Sequence, residues 1–338
     1  MAESTPPKGF CEQLKAGWGN CQRPGPANTV LAVSGGLDSV ALLHATVRLW
    51  PEQVDELLVT HVNHQLRANE SEADASFVAA TASSLGVKCR ILTCDVTSHQ
   101  AEQGGGVEEV ARQLRYSALE RVASELHRTA IVSAHHQQDQ AETILHNILR
   151  GTGLKGLAGM SSVRPLTNGV RVIRPMLSIP RTTIEAWARA EQIEWREDSS
   201  NASANFTRNR IRQDLLPRLA KDYNPQVTSS LLRLSDHARD AENMVTLVAQ
   251  RCLEDVQLEL QPGVCRLDRT RLAAWPVTVV SSTLRLIWQQ QSWPQQMMTQ
   301  AHWQDLAAGI HDVDGKPKVI PGVRISLTPG IIRIFGDN

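Results

Sequence analysis

The segment Ser34-Gly35-Gly36-Leu37-Asp38-Ser39 has the residue types most specific to one chemistry. Consecutive glycines let a backbone approach an anion closely, and a helix that follows at once offers unpaired N–H groups at its positive dipole end. Ser34 and Ser39 would add hydroxyl donors, while Leu37 begins the helix. Asp38, in a site otherwise suited to anions, is best explained by a divalent cation shared with phosphate oxygens. The spacing is neither GxxxxGK[ST] nor GxGxxG, which excludes two common nucleotide-loop signatures. Asp139 and Glu142 stand at i and i+3 in the first turn of a second expected helix. They could serve the helix dipole, or they could hold an ammonium group. His61, His64, Asn63 and His135 are further candidates, with ordinary hydrogen-bonded loop histidines as the alternative reading.

The elements that must position these groups follow from pattern. An apolar, β-prone run over 29–33 precedes the Ser/Gly segment, and Val40, Leu42, Leu43, Val47 and Leu49 continue it as a helix. Strands are expected over 56–62, 89–95 and 129–134, and helices over 72–85, 107–126 and 139–149; the helix from Val107 keeps a clear 3.6 period. Strand and helix alternating four times predict a doubly wound, mainly parallel α/β sheet over 29–150, of Rossmann-like class. Strand-end residues of such a sheet face the ligand crevice, which puts His61, Asn63 and His135 beside the glycine loop. Residues 1–28 read as a lead-in, 151–221 as a basic helical extension, and 226–338 as a smaller mixed α+β domain. In the extension, Thr182-x-x-Glu185 suggests a capping box, and a basic helix is expected over 206–219. In the last part, hairpins are expected at Gln261-Pro262-Gly263 and Pro329-Gly330. Gly151-Thr152-Gly153-Leu154-Lys155-Gly156 fits GxGxxG as a string, but it follows a helix rather than a strand and is a decoy.

Charge adds a partner class. The 338 residues carry 35 Lys+Arg and 35 Asp+Glu, a net charge of zero. Residues 1–149 hold 11 basic and 17 acidic groups (net −6), 150–221 hold 13 and 6 (net +7), and 222–338 hold 11 and 12 (net −1). The basic strip, with Arg150, Lys155, Arg208, Arg210 and Arg212, is either a solvated face or the footprint of a polyanion. No apolar run approaches the roughly 18 residues of a membrane helix, and MAESTPPKGF lacks a signal-peptide layout, so a cytoplasmic protein without membrane association is expected. None of the six cysteines forms CxxC, which suits free thiols in a reducing compartment.

The Ser34–Ser39 segment resembles the pyrophosphate-binding loop, SGGxDS, of the PP-loop ATP pyrophosphatases. Further motifs narrow this. His61-Val62-Asn63-His64-Gln65-Leu66-Arg67 is similar to the HVNHxLR segment of the tRNA(Ile)-lysidine synthases. So are Ala111-Arg112-Gln113-Leu114-Arg115-Tyr116, the run from His135 to Thr143, and Arg208-Asn209-Arg210-Ile211-Arg212. The resemblance covers about residues 29–220 and implies ATP and Mg2+ as cofactors, with Asp38 on the metal and Ser34, Gly35, Gly36, Leu37, Asp38, Ser39, His61 and Asn63 on the nucleotide. It implies L-lysine and tRNA(Ile) with a CAU anticodon as partners, and catalytic roles for Asp38, Arg112, Asp139 and Glu142. Lysine or tRNA contacts would come from Arg112, His135, Asp139, Glu142, Arg150, Lys155, Arg208, Arg210 and Arg212. The implied reaction is a carbon–nitrogen ligation at C2 of the wobble cytidine through an adenylated base. Another adenylating tRNA-modifying enzyme of the superfamily, such as a thiolating one, or a weakly catalytic tRNA-binding module are the alternatives. Gln138 and Gln65 depart from the family pattern, which usually has Asp and Gly there. The chain is expected to end after one C-terminal domain where longer members have another, and the oligomeric state stays open, a homodimer among the options.

Overall fold

The computed structural model describes residues 9–65, 68–103, 106–166, 169–197, 207–294, 298–312 and 322–336. The end of the His61–Arg67 segment lies outside these residues.

The β-prone run forms β1 (Thr29–Ala32), and Gly36 starts α2 (Leu37–Leu49), preceded in the chain by α1 (Phe10–Asn20). Then come β2 (Leu57–Asn63), α3 (Ala68–Ser84), β3 (Lys88–Thr93), α4 (Val96–Gln103), α5 (Val107–Glu125), β4 (Ala130–Val132) and α6 (Gln137–Leu149). After α7 (Leu154–Leu157) a short hairpin of β5 (Val163–Pro165) and β6 (Arg171–Ile173) joins the sheet, followed by α8 (Arg181–Ala190). The strand order is β3-β2-β1-β4-β6-β5, parallel except for β5. That is the expected mainly parallel class. Leu31 and Val59 pack with α1, α2 and α8 on one face, while Val30, Leu58 and Ile131 pack with α5 on the other. A strand that buries both alternating faces is covered on both, so β1 lies at the centre.

Three sequence expectations change. The stretch read as a lead-in contains α1, whose Phe10, Leu14 and Trp18 are buried at i, i+4 and i+8. A Cβ on Gly17 would stand 1.8 Å from the Pro175 carbonyl oxygen, so only glycine allows α1 this close approach. The capping box at Thr182 is absent: Pro180 takes the N-cap position with extended backbone, which leaves Thr182 inside the first turn. The expected basic helix over 206–219 is divided into α9 (Thr207–Arg210), a π-helical turn (Ile211–Leu215) and α10 (Leu216–Asp222).

The chain packs as two units, divided between Ser235 and Asp236 within α11 (Val227–Val256). The second unit has the expected hairpins: β7 (Gln257–Gln261) with β8 (Val264–Asp268), and β9 (Val323–Leu327) with β10 (Ile331–Gly336), in one antiparallel sheet ordered β7-β8-β10-β9. Between them lie α12 (Arg269–Ala273), α13 (Val277–Gln290) and α14 (Gln300–His311). Trp288 packs edge-on against Trp293 and Trp303 in a core that also buries Leu284, Ile287 and Ile334.

Candidate active site

β1 is flanked by β2 on one side and β4 on the other, so successive connections leave it in opposite directions and open a crevice beyond the strand ends. That crevice is a cleft of about 730 Å³. Ser34–Ser39, His61, Asn63, His64, Asp74, Arg115, Tyr116, His135, Asp139, Arg181, Trp195, Arg196 and Arg212 line it.

The glycine loop is held by its own hydroxyls. Gly35 has φ +95°, a conformation that favours glycine, and this turns the chain from strand to helix. Ser39 is buried; its hydroxyl donates to the Gly36 carbonyl at 3.0 Å and accepts from the Ser34 N–H at 3.1 Å. With that proton committed, Ser34 is the donor in the 3.1 Å contact between the two hydroxyls. Both serine protons, expected to meet an anion, are therefore directed into the loop. The Arg196 N–H donates to the Gly35 carbonyl at 3.0 Å, and its guanidinium pairs with Asp74. Residue 196 thus ties the loop to α3.

Asp38 sits in the first turn of α2 with one oxygen, Oδ1, buried and without a hydrogen bond. Arg181 Nε stands 3.7 Å from that oxygen, and His136 Nε2 is 3.6 Å from Oδ2. His136 caps α6: its Nδ1 accepts from the Gln138 N–H at 3.1 Å, so a neutral ring carries its proton on Nε2, toward Asp38 and Asp139. Asp139 completes the capping box by accepting from the His136 N–H at 2.9 Å. Gln138, exposed at the position of an expected acid, contributes only its backbone here.

Asp139 and Glu142 lie buried on one face of α6 and meet two arginines. Arg208 reaches Glu142 at 3.1 Å and Asp139 at 3.2 Å; Arg212 reaches them at 2.6 and 3.0 Å. Burial would raise the Asp139 carboxyl, but His136, His135 and Arg208 outweigh it and hold it below the usual range. Positions 208 and 212 share a face through the π-helical turn, as their spacing predicts. They face carboxylates instead of opening directly to a polyanion.

Burial favours the neutral form of three cleft histidines, His61, His64 and His135. Burial lowers His61, whose Nδ1–H donates to the Val33 carbonyl at 2.9 Å. Burial with Arg115 and His61 nearby takes His64 down to about 4, and burial takes His135, hydrogen-bonded to Ser133, to about 3. Asn63 is engaged: its amide donates to the Ser71 carbonyl and Glu72, and its oxygen accepts from the Gln65 N–H at 2.9 Å. It shapes the turn after β2 more than it presents a free group. Arg112 does not line the cleft. It stands 5.7 Å from the Tyr116 ring, and Arg115, three residues on, takes the cleft-facing place. Arg150, Lys155 and Arg210 are exposed and outside the lining. His136, Asp74, Arg115, Tyr116, Arg181 and Trp195 went unread as site residues; only the strand-end position of His136 and the motif containing Arg115 carried a signal.

Residues 12–219 match the PP-loop domain family. The chain is 36% identical over 257 residues to the tRNA(Ile)-lysidine synthase of Pseudomonas aeruginosa, across 75% of this chain and 55% of that protein. It is 33% identical over 334 residues to the tRNA(Ile)-lysidine synthase of Rhodopirellula baltica, across 88% of this chain and 83% of the relative. The chain belongs to the tRNA(Ile)-lysidine synthase family. It spans about half the length of several curated members it matches, 55% in Pseudomonas aeruginosa and 51% in Clostridioides difficile. A U34-tRNA thiolase from Methanococcus maripaludis, solved with its [4Fe-4S] cluster, superposes with TM-score 0.54 at 18% identity, covering 67% of this chain and 77% of that one. At that identity the likeness is of fold alone. Gln65, read from the sequence as a departure from a glycine, has φ +54°, a left-handed backbone that glutamine adopts at a cost.

Proposed function

We propose that this chain ligates L-lysine to C2 of the wobble cytidine in CAU-anticodon tRNA(Ile), at the expense of ATP, forming a carbon–nitrogen bond. The observation that carries the reading is the Ser34–Ser39 loop at the switch point with Asp38 Oδ1 buried and unbonded, opposite the carboxylates of α6. A buried carboxylate oxygen that accepts no hydrogen bond, with only the Arg181 guanidinium 3.7 Å away, fits a cation ligand, so Asp38 would hold Mg2+. Bound there, the ion would supply positive charge to the pyrophosphate that leaves. The backbone of residues 34–36 and the N-terminus of α2 bind the ATP phosphates. The cytidine O2 attacks the α-phosphate, which gives an adenylated base and pyrophosphate. The lysine ε-amine then attacks C2, and the C2–O2 bond breaks to release AMP. Adenylation is needed because an unmodified pyrimidine carbonyl oxygen is a poor leaving group.

Asp139 and Glu142 orient the lysine. Arg208 and Arg212 already serve as their counter-charges, so an arriving ammonium has to share or replace a guanidinium. Catalysis is assigned to 29–221 and contact with the tRNA body to 226–338. The test combines labelled lysine, ATP and a CAU tRNA(Ile) transcript. Lysine incorporation with AMP release supports the reading, and no incorporation by protein that binds ATP refutes it. Asp38→Ala should abolish adenylation while RNA binding persists; equal loss of both would mean that the loop is misassigned.

A further inference from the structure

Tyr116 stands in an unusual charge environment. Its ring centroid is 4.9 Å from the Arg164 guanidinium carbon, 5.6 Å from that of Arg115 and 5.7 Å from that of Arg112. Arg174, buried to 3% exposure, stands close enough to the phenol to act on it electrostatically and donates to the Ser161 carbonyl at 2.7 Å. These arginines come from α5 (Arg112, Arg115), β5 (Arg164) and the end of β6 (Arg174), so three elements converge on one ring. None of Arg112, Arg164 and Arg174 pairs with a carboxylate among the described ion pairs, and Arg174 Nε is buried without a hydrogen bond. Burial would raise the phenol, but Arg174, Arg115 and Arg112 outweigh it and hold Tyr116 below its ordinary range.

Cation–π attraction and one phenol do not neutralise the guanidiniums of Arg112, Arg164 and Arg174. The nest opens to the cleft through Arg115 and Tyr116. An ammonium would be repelled there, whereas a phosphate oxyanion could accept several forked N–H donors. We propose that the Tyr116 nest binds a phosphate oxyanion, either a phosphodiester of the RNA beside the modified base or a phosphate of the nucleotide. The inference rests on the RNA- and ATP-binding reading above and names a further subsite of the same cleft.

The test uses the full chain with Arg164→Gln and Arg115→Gln, separately and together, checked for native circular dichroism. Affinity for the CAU tRNA(Ile) transcript is measured over a salt series, and affinity for ATP in parallel. An RNA phosphodiester predicts about ten-fold weaker RNA binding in the double variant, with the log–log salt slope shallower by about one for each phosphate-bound arginine replaced. Weakened ATP binding with RNA binding retained assigns the nest to the nucleotide. Folded variants that keep both affinities overturn the proposal.

A second readout is independent of these variants. The chain has two tyrosines, and Tyr223 is 81% exposed, so Tyr223→Phe leaves Tyr116 as a single 13C-labelled NMR probe. An oxyanion that neutralises the guanidiniums makes the phenolate less favourable, so transcript or ATP must move the Tyr116 titration to higher pH. No movement with both ligands bound overturns the site. If wild-type protein fails to incorporate lysine but the Tyr116 shift persists, the ligase reading fails and the anion site stands.

Discussion

His135, half-buried in the cleft wall, shows how a single desolvated ring makes the fold sensitive to pH. The folded chain keeps it neutral down to about 3, against an ordinary value of 6.5. Below 6.5 the unfolded chain binds a proton that the folded chain does not, so stability falls as pH drops from 6.5 toward 3. His64, held down to about 4, acts in the same direction. His135→Gln is neutral at every pH and should flatten that fall, by a few kcal/mol at most. Urea midpoints at pH 7 and pH 4.5 check this; equal pH losses in both proteins would contradict it. The residues legible in the sequence were those whose role is local. The glycine loop announced itself within six positions, and His61, His135 and Asp139 followed from strand ends and a helix start. Arg208 and Arg212 were visible as basic residues, but their bonds to Asp139 and Glu142 span 66 to 73 positions, and no local pattern encodes such a pairing. The arginines around Tyr116 were hidden for the same reason.

At the scale of elements, periodicity carried most of the information. The alternation of strand and helix over 29–150 is local, and the parallel sheet follows from it with each expected strand in place. The short pieces were harder: α1 presents an apolar stripe of only three residues, and the π-helical turn has no signature distinct from a helix. The connection after β2 gives a test of backbone cost. Gln65 holds φ +54° with its N–H on Asn63 Oδ1. Gln65→Gly should therefore stabilise the fold by up to about 1 kcal/mol, because glycine takes that conformation without a Cβ penalty. A lower urea midpoint in the glycine variant would show that the turn relies on the glutamine side chain or on a stiffer unfolded chain.

For the whole molecule, the two units keep separate cores. In the second, Arg269 is buried and donates to the carbonyls of Ile310 at 3.1 Å, Thr328 at 3.1 Å, Gly309 at 3.3 Å and Asp312, joining the end of α14 to the β9–β10 turn. Arg269→Met strips those carbonyls of their donor, and a loss of about 3 kcal/mol is expected. Hydrogen exchange should quicken from Asp236 onward while the β1, β2 and β4 amides keep their protection. Uniform acceleration across both units would show that the units unfold together. The bond from the Arg196 N–H to the Gly35 carbonyl has a consequence for the order of synthesis. The glycine loop is made early, yet its clasp arrives some 160 residues later and Arg212 later still. A growing chain on the ribosome therefore carries the glycine loop without the Arg196 clasp until that residue is made. The cleft becomes complete only once residue 212 has left the exit tunnel.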